Sequence, residues 1–148
     1  MNADWKMSGA ALLIAMASLA GAADFRAIAD NAAVLYDAPS TKANKLYVIG
    51  RDYPVEVVVV VEGWTKIRDA SGELAWIEAK NLGERHTVMV KVKLADIRQS
   101  ADDNAPLAFQ AEQNVLLELV ELTGTGWARV SHRDGQSGYV RLNQVWGV

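Results

Sequence analysis

The segment Gly63-Trp64-Thr65-Lys66-Ile67-Arg68 returns in the same chain as Gly126-Trp127-Ala128-Arg129-Val130-Ser131. A glycine-containing turn follows each copy: Asp69-Ala70-Ser71-Gly72-Glu73 in the first, His132-Arg133-Asp134-Gly135-Gln136 in the second. Each copy then closes on an aromatic–aliphatic pair, Trp76-Ile77 and Tyr139-Val140. The pattern runs ungapped at a constant offset of 63 residues, which marks a duplicated structural unit rather than a chance match. Upstream, Val55-Glu56-Val57-Val58-Val59 matches Val115-Leu116-Leu117-Glu118-Leu119 at an offset of 60, so three residues are expected to be added in the second copy's turn.

Both units read as β structure. Residues 55–61 are valine throughout except for Glu56, and residues 116–122 are similarly apolar. Asp134-Gly135 lies between two strand-like runs and signals a hairpin, because glycine accepts the positive φ that such turns need. Helical periodicity is absent outside the N-terminal segment. The units span 25–82 and 87–148, separated only by Gly83-Glu84-Arg85-His86. The expected fold class is all-β, with two small barrels in tandem.

Composition bounds the function. The chain has 148 residues, of which 51% are apolar and 22% charged, enough apolar surface to offset the entropy of ordering. Its net charge of −3 provides no basic face for phosphates, so no nucleic-acid partner is expected. With no cysteine there is no disulfide, thiol nucleophile, cysteine-ligated zinc or thioether-linked lipid. Residues 9–20, GAALLIAMASLA, form an uncharged apolar stretch after Lys6, and Ala20-Gly21-Ala22 supplies a small-x-small site. This is the pattern of a cleavable secretory signal peptide, assigned to residues 1–22 as a helix. It is too short for a membrane span, which needs roughly 20 apolar residues. The product is expected to be periplasmic or secreted, with no membrane attachment after cleavage.

The repeated unit resembles a bacterial SH3 domain. Gly-Trp, alternating cationic and β-branched residues, a glycine turn, then Trp or Tyr with Ile or Val is similar to that family's second half. Ala33-Val34-Leu35-Tyr36-Asp37-Ala38-Pro39-Ser40 stands where the family carries a Val-Arg-x-x-Pro-Ser segment, and Asp96-Ile97-Arg98-Gln99-Ser100-Ala101-Asp102 is its counterpart. Ala75 replaces the usual glycine before the second aromatic, and Ala101 replaces the proline. Leu35-Tyr36-Asp37 is also similar to part of the ALYDY motif of eukaryotic SH3 domains, but the final tyrosine is missing, so recognition of PxxP peptides is not carried over. The resemblance implies a five-stranded SH3-like barrel in each unit and binding rather than catalysis. It further implies envelope ligands: a peptide, a peptidoglycan-related component, or a wall-processing protein partner. A structural or assembly protein, whose barrels mediate only protein–protein contacts, is the alternative.

Strand alternation places Trp64, Lys66 and Arg68 on one face and Thr65 and Ile67 on the other. With Ile67 inside, Trp64 lies outside beside cations, either stacking on a ligand or covering the barrel's edge. Trp127 with Arg129 repeats the arrangement. Trp76 and Tyr139 read as structural. The resemblance brings Tyr36 and Asp37 close to Trp64, giving an aromatic platform, an acceptor and the cation of Lys66 in the first barrel. The second copy has Arg98 and Gln99 in place of Tyr36 and Asp37, so the first barrel is the expected main site.

Alternation also predicts that Val55, Val57, Val59 and Val61 fill the barrel while Val58 and Val60 face outward, with Leu116, Glu118 and Val120 as outward counterparts. Strands that are apolar on both faces are normally covered on both, which predicts barrel docking through Val58, Val60, Leu116 and Val120, or a homodimer contact there. Catalysis has no visible constellation. His86 and His132 are isolated, so no metal is expected. Gly135-Gln136-Ser137-Gly138-Tyr139 lacks the final glycine of a nucleophile elbow. Gly124-Thr125-Gly126 lacks the third glycine and the helix of a dinucleotide loop, so no cofactor is expected either.

Overall fold

A computed structural model describes residues 23–148; the expected signal segment, 1–22, lies outside the described residues. The first unit comprises β1 (Phe25–Ile28), β2 (Ala32–Tyr36), β3 (Lys45–Gly50), β4 (Pro54–Val61), β5 (Trp64–Arg68), β6 (Leu74–Glu78) and β7 (Leu82–Gly83). The second repeats it with β8 (Thr87–Val90), β9 (Leu94–Arg98), β10 (Leu107–Glu112), β11 (Leu116–Leu122), β12 (Trp127–Ser131), β13 (Ser137–Arg141) and β14 (Val145–Trp146). A single 3-10 turn, Ala79–Asn81 or Leu142–Gln144, precedes the last strand of each. Two antiparallel sheets result, in the matching orders β3-β2-β6-β5-β4-β1-β7 and β10-β9-β13-β12-β11-β8-β14. The architecture is all-β, two SH3-like units in tandem. To the five strands expected of each unit, the sheet adds an opening strand and a two-residue closing strand.

Each unit has its own core. Leu35, Val55, Ile67 and Ile77 are fully buried in the first, and Ile97, Leu117, Val130 and Val140 in the second. β5 follows the expected alternation, with Thr65 and Ile67 inward and Trp64, Lys66 and Arg68 half-exposed. Gly63 and Gly126 sit at φ of 74° and 89° before the repeated tryptophans, a conformation that favours glycine over any residue with a Cβ. Gly138 is required for a different reason. A Cβ there would stand 2.6 Å from the Arg98 carbonyl oxygen and from Ile97 Cγ2. The matching position of the first barrel accommodates the methyl of Ala75, only 2% exposed.

Two expectations are corrected by the register. Glu56 stands opposite Arg68 and Glu118 opposite Ser131, so β4 and β11 correspond at an offset of 62, not 60. A single residue, not three, is therefore added in the second copy's turn. Asp52 and Asn114, both at positive φ, keep the same offset of 62. The second correction concerns the valines. A bulge between Val57 and Val59 shifts the β4–β5 register, and its equivalent falls between Leu119 and Glu121. A bulge inserts an unpaired residue and bends the strand, so period-2 alternation does not continue through it. Val55 is buried, but Val59 and Val61 are each 41% exposed and do not fill the barrel. β1 stops opposite Glu56, leaving the outer edge of residues 58–61 without a strand partner among the described residues.

The barrels do dock, but not through the expected residues. Val58, Val60 and Val120 are 41%, 70% and 53% exposed, and Leu116 lines a cleft between the units. Contact is made instead by chain around the linker. The Thr87 hydroxyl donates to the Asp52 carbonyl at 2.6 Å, and the Leu119 N–H donates to the His86 carbonyl at 2.9 Å. The Arg85 guanidinium bridges the barrels, 3.2 Å from Asp52 and 2.8 Å from Glu118. Phe25 and Trp146 meet edge-to-face at 5.1 Å between centroids, joining the first strand of one unit to the last of the other. Hence Val60→Asp is expected to leave stability within about 0.5 kcal/mol of the parent, as exposed substitutions usually do. Thermal denaturation checks this, and cooperative loss of both barrels would contradict it.

A buried carboxylate organises the β5–β6 turn. Asp69 accepts from the Tyr47 hydroxyl at 2.7 Å, the Ser71 hydroxyl at 2.6 Å, and the N–H groups of Ser71 and Glu73 at 2.9 and 3.0 Å. Burial opposes its ionisation, yet these donors outweigh burial and hold its pKa below the ordinary aspartate value. Burial first, then the bond to Asp69, pushes the Tyr47 phenol up. In the second barrel His132 takes this place, its Nδ1 2.9 Å from an Asp134 carboxylate oxygen. Asp69→Ala is expected to cost about 2–3 kcal/mol, because a charged acceptor is lost and the Tyr47 hydroxyl loses its partner. The aspartate's contribution is fully present above the unfolded value of about 3.9 and is lost as pH falls through the lower folded value. Urea titrations at pH 7 and pH 3 should therefore show the Asp69→Ala penalty shrinking in acid.

Candidate ligand-binding site

In the first barrel, β5 and β6 set Trp64 opposite Glu78, Lys66 opposite Trp76, and Arg68 opposite Leu74. β2 adds Tyr36, paired with Trp76. The Tyr36 and Trp64 rings meet at 5.4 Å between centroids with planes 83° apart, an edge-to-face contact favoured by the ring quadrupoles. Tyr36 is only 7% exposed, so it backs the platform, whereas Trp64 is half-exposed and offers its surface. Lys66 places its ammonium 6.0 Å from the Trp76 ring centroid and has no carboxylate partner among the described residues. Neighbouring charges are committed: Arg68 pairs with Glu56 at 2.8 Å, and Lys80 with Glu78 at 3.4 Å.

Asp37 borders this face but closes its own loop. Its carboxylate accepts from the Asn44 N–H at 3.0 Å and the Asn44 side-chain amide at 2.9 Å. The Asp37 N–H donates to the Asn44 carbonyl at 3.1 Å, completing the closure of loop 37–44. The structure thus brings together Tyr36, Trp64 and Lys66, with Asp37 holding the loop beside them. Trp76 is the neighbour that alternation alone did not single out. Its signal was present, since Trp76 and Lys66 occupy outward positions of adjacent strands.

The second barrel is built differently on the same frame. Trp127 is 4% exposed, and the Arg141 guanidinium lies 4.5 Å from its ring centroid. Arg141 is itself paired with Asp103, and the hydrogen bond from Arg141 holds the Asp103 carboxyl below its usual range. Arg129 is exposed two residues further along the same strand, β12, opposite Glu121 on one side and Tyr139 on the other. Trp127 and Arg129 therefore do not share an open surface of the kind Trp64 and Lys66 make. At the place of Tyr36, Arg98 turns to its own loop and donates to the Ala105 carbonyl at 2.8 Å. The constant offset of 63 already paired Glu78 with Arg141 in the sequence, which is the signal for this difference. Among the described residues there is no group of three or more His, Asp or Glu arranged to hold a metal ion.

The family profile described as "Bacterial SH3 domain" matches the chain twice, at residues 29–84 and 91–147. A search of the curated proteins finds no match. Among solved structures, NlpC2 from Trichomonas vaginalis is 18% identical with a TM-score of 0.40, over 84% of this chain and 48% of that one. NlpC1 from the same organism is 19% identical with a TM-score of 0.39, over 84% of this chain and 45% of that one. An NlpC/P60 family protein from Bacillus cereus is 18% identical with a TM-score of 0.39, over 83% and 56%. The chain spans about half the length of each of these proteins. The two profile matches cover most of the described residues, one for each sheet, and the chain belongs to the bacterial SH3 domain family.

Proposed function

We propose that the protein is a non-enzymatic, exported binding module of the bacterial cell envelope, recognising a peptide or peptidoglycan-related ligand through its first barrel. One observation carries the reading: Trp64 lies half-open on the buried Tyr36 ring, and on the next outward position Lys66 holds its ammonium by the Trp76 ring with no carboxylate partner among the described residues. An aromatic surface beside a single cation suits a peptide that presents an apolar group and a carboxylate. The family to which the chain belongs supports a wall-related ligand. The second barrel, with Trp127 beneath Arg141, acts as the partner that holds the first in place. Trp64→Ala should weaken retention on purified peptidoglycan, and binding of its soluble muropeptides, by about 1–3 kcal/mol while preserving the fold. Trp127→Ala should weaken binding less and destabilise its own barrel more. Equal losses of binding, or unfolding of the first barrel by Trp64→Ala, would sink this assignment.

The exposed valines of β4 favour a second reading, an assembly protein that contacts another envelope protein along that strand. Absence of any muropeptide-competed retention, together with self-association in sedimentation velocity, would favour it. Export is part of the proposal in either form. N-terminal sequencing of the protein recovered from the periplasm is expected to begin at Ala23 or Asp24, and an intact Met1 on cytoplasmic protein would refute it.

A further inference from the structure

A cleft of about 320 Å³ lies between the barrels, remote in sequence from the Trp64 face. Its walls include Arg51, Asp52 and Arg85 on one side and residues 114–118 and 131–133 on the other. The size falls at the lower end of the roughly 300–1,000 Å³ usual for small-ligand sites. Its charges sort into two groups. Asp52 and Glu118 are both engaged by Arg85, which neutralises part of their field. Arg51 uses only its Nε, donating to the Asn31 amide oxygen at 3.1 Å, and Arg133 has no ion-pair partner among the described residues. Two arginines without carboxylate partners among the described residues thus line one cleft, in a chain whose net charge is negative.

We propose that this cleft binds a monoanionic carboxylate bearing a small apolar group and an N–H donor, the chemistry of a peptide's C-terminal residue. Arg51 and Arg133 supply the donors for the carboxylate, for which the guanidinium fork is suited. Val115 and Leu116 supply the apolar wall, and Glu118 keeps acceptor capacity for the N–H. A dianion fits less well, because the Asp52 and Glu118 carboxylates line the same space and repel added charge. The site exists only while the barrels are docked, since neither unit supplies both arginines. It does not depend on the Trp64 reading.

Titration calorimetry of the full described chain with N-acetyl-Ala-Ala tests the proposal, with its C-terminal amide and inorganic phosphate as comparisons. The free acid is expected to bind saturably, and the amide and phosphate about tenfold or more weaker. Arg133→Gln, an exposed turn substitution, should bring a similar loss, while Trp64→Ala should leave this binding unchanged. Amide shifts in NMR spectra should centre on Asn114, Leu116 and Ser131. The proposal is overturned if the amide or phosphate binds as tightly as the acid, if Arg133→Gln has no effect, or if no saturable binding occurs. Shifts confined to the Trp64 face would also overturn it, while leaving the first-barrel site standing.

Discussion

Only Glu84, Arg85 and His86 separate β7, the closing strand of the first sheet, from β8, the opening strand of the second. Three residues at about 3.3–3.6 Å each cannot let two barrels tumble apart. Everything between the units follows from that short tether. His86 is half-buried, with Nε2 2.8 Å from the Gly147 carbonyl, so the linker is tied to the final strand region as well as to β11. The Arg85 ion pairs are largely exposed and contribute little energy alone. Their role is orientation, whereas the Thr87 bond to Asp52 and the Phe25–Trp146 contact remove surface from water.

Duplication gave two copies of one frame, and equivalent positions have taken opposite uses. Tyr36 supports an aromatic platform, while Arg98 in its place stitches a loop. Glu78 pairs sideways with Lys80 and leaves Trp64 open, whereas Arg141 covers Trp127. Asp69 is a buried hub with four donors, and His132 is a peripheral turn residue. The cores kept their apolar character throughout, so divergence is concentrated in side chains that the barrel interior does not constrain.

The repeat, the hairpin turns and the inward set of β5 were legible because tight turns and uninterrupted alternation leave local marks in the sequence. The outcome for the valine run was not. A bulge has no composition signature in a row of identical residues, and Val57, Val58 and Val59 read alike whichever one is unpaired. The same uniformity hid the offset of 62, since valine and leucine match at several registers. At the candidate site, the proximity of Tyr36 to Trp64 came from the family resemblance, and the structure brings the two rings together. The docking surface was misplaced because exposed apolar strands suggest burial, while the actual contact uses a hydroxyl, a backbone carbonyl and a few aromatic edges that have no periodic pattern.

The unpaired outer edge of residues 58–61 bears on how the protein behaves in concentrated solution. Four consecutive exposed valines, without proline or charge, present free backbone donors and acceptors beside high β propensity, the combination that templates sheet growth between molecules. Glu62 follows the run immediately, and a charge in that position opposes the approach of a second copy's strand by like-charge repulsion. Colloidal stability is thereby tied to ionic strength. At 0.15 M salt the repulsion reaches only about 8 Å, close to the distance between strands about to pair. Salting out of the folded protein, rather than of its unfolded chain, is the consequence of leaving this edge open.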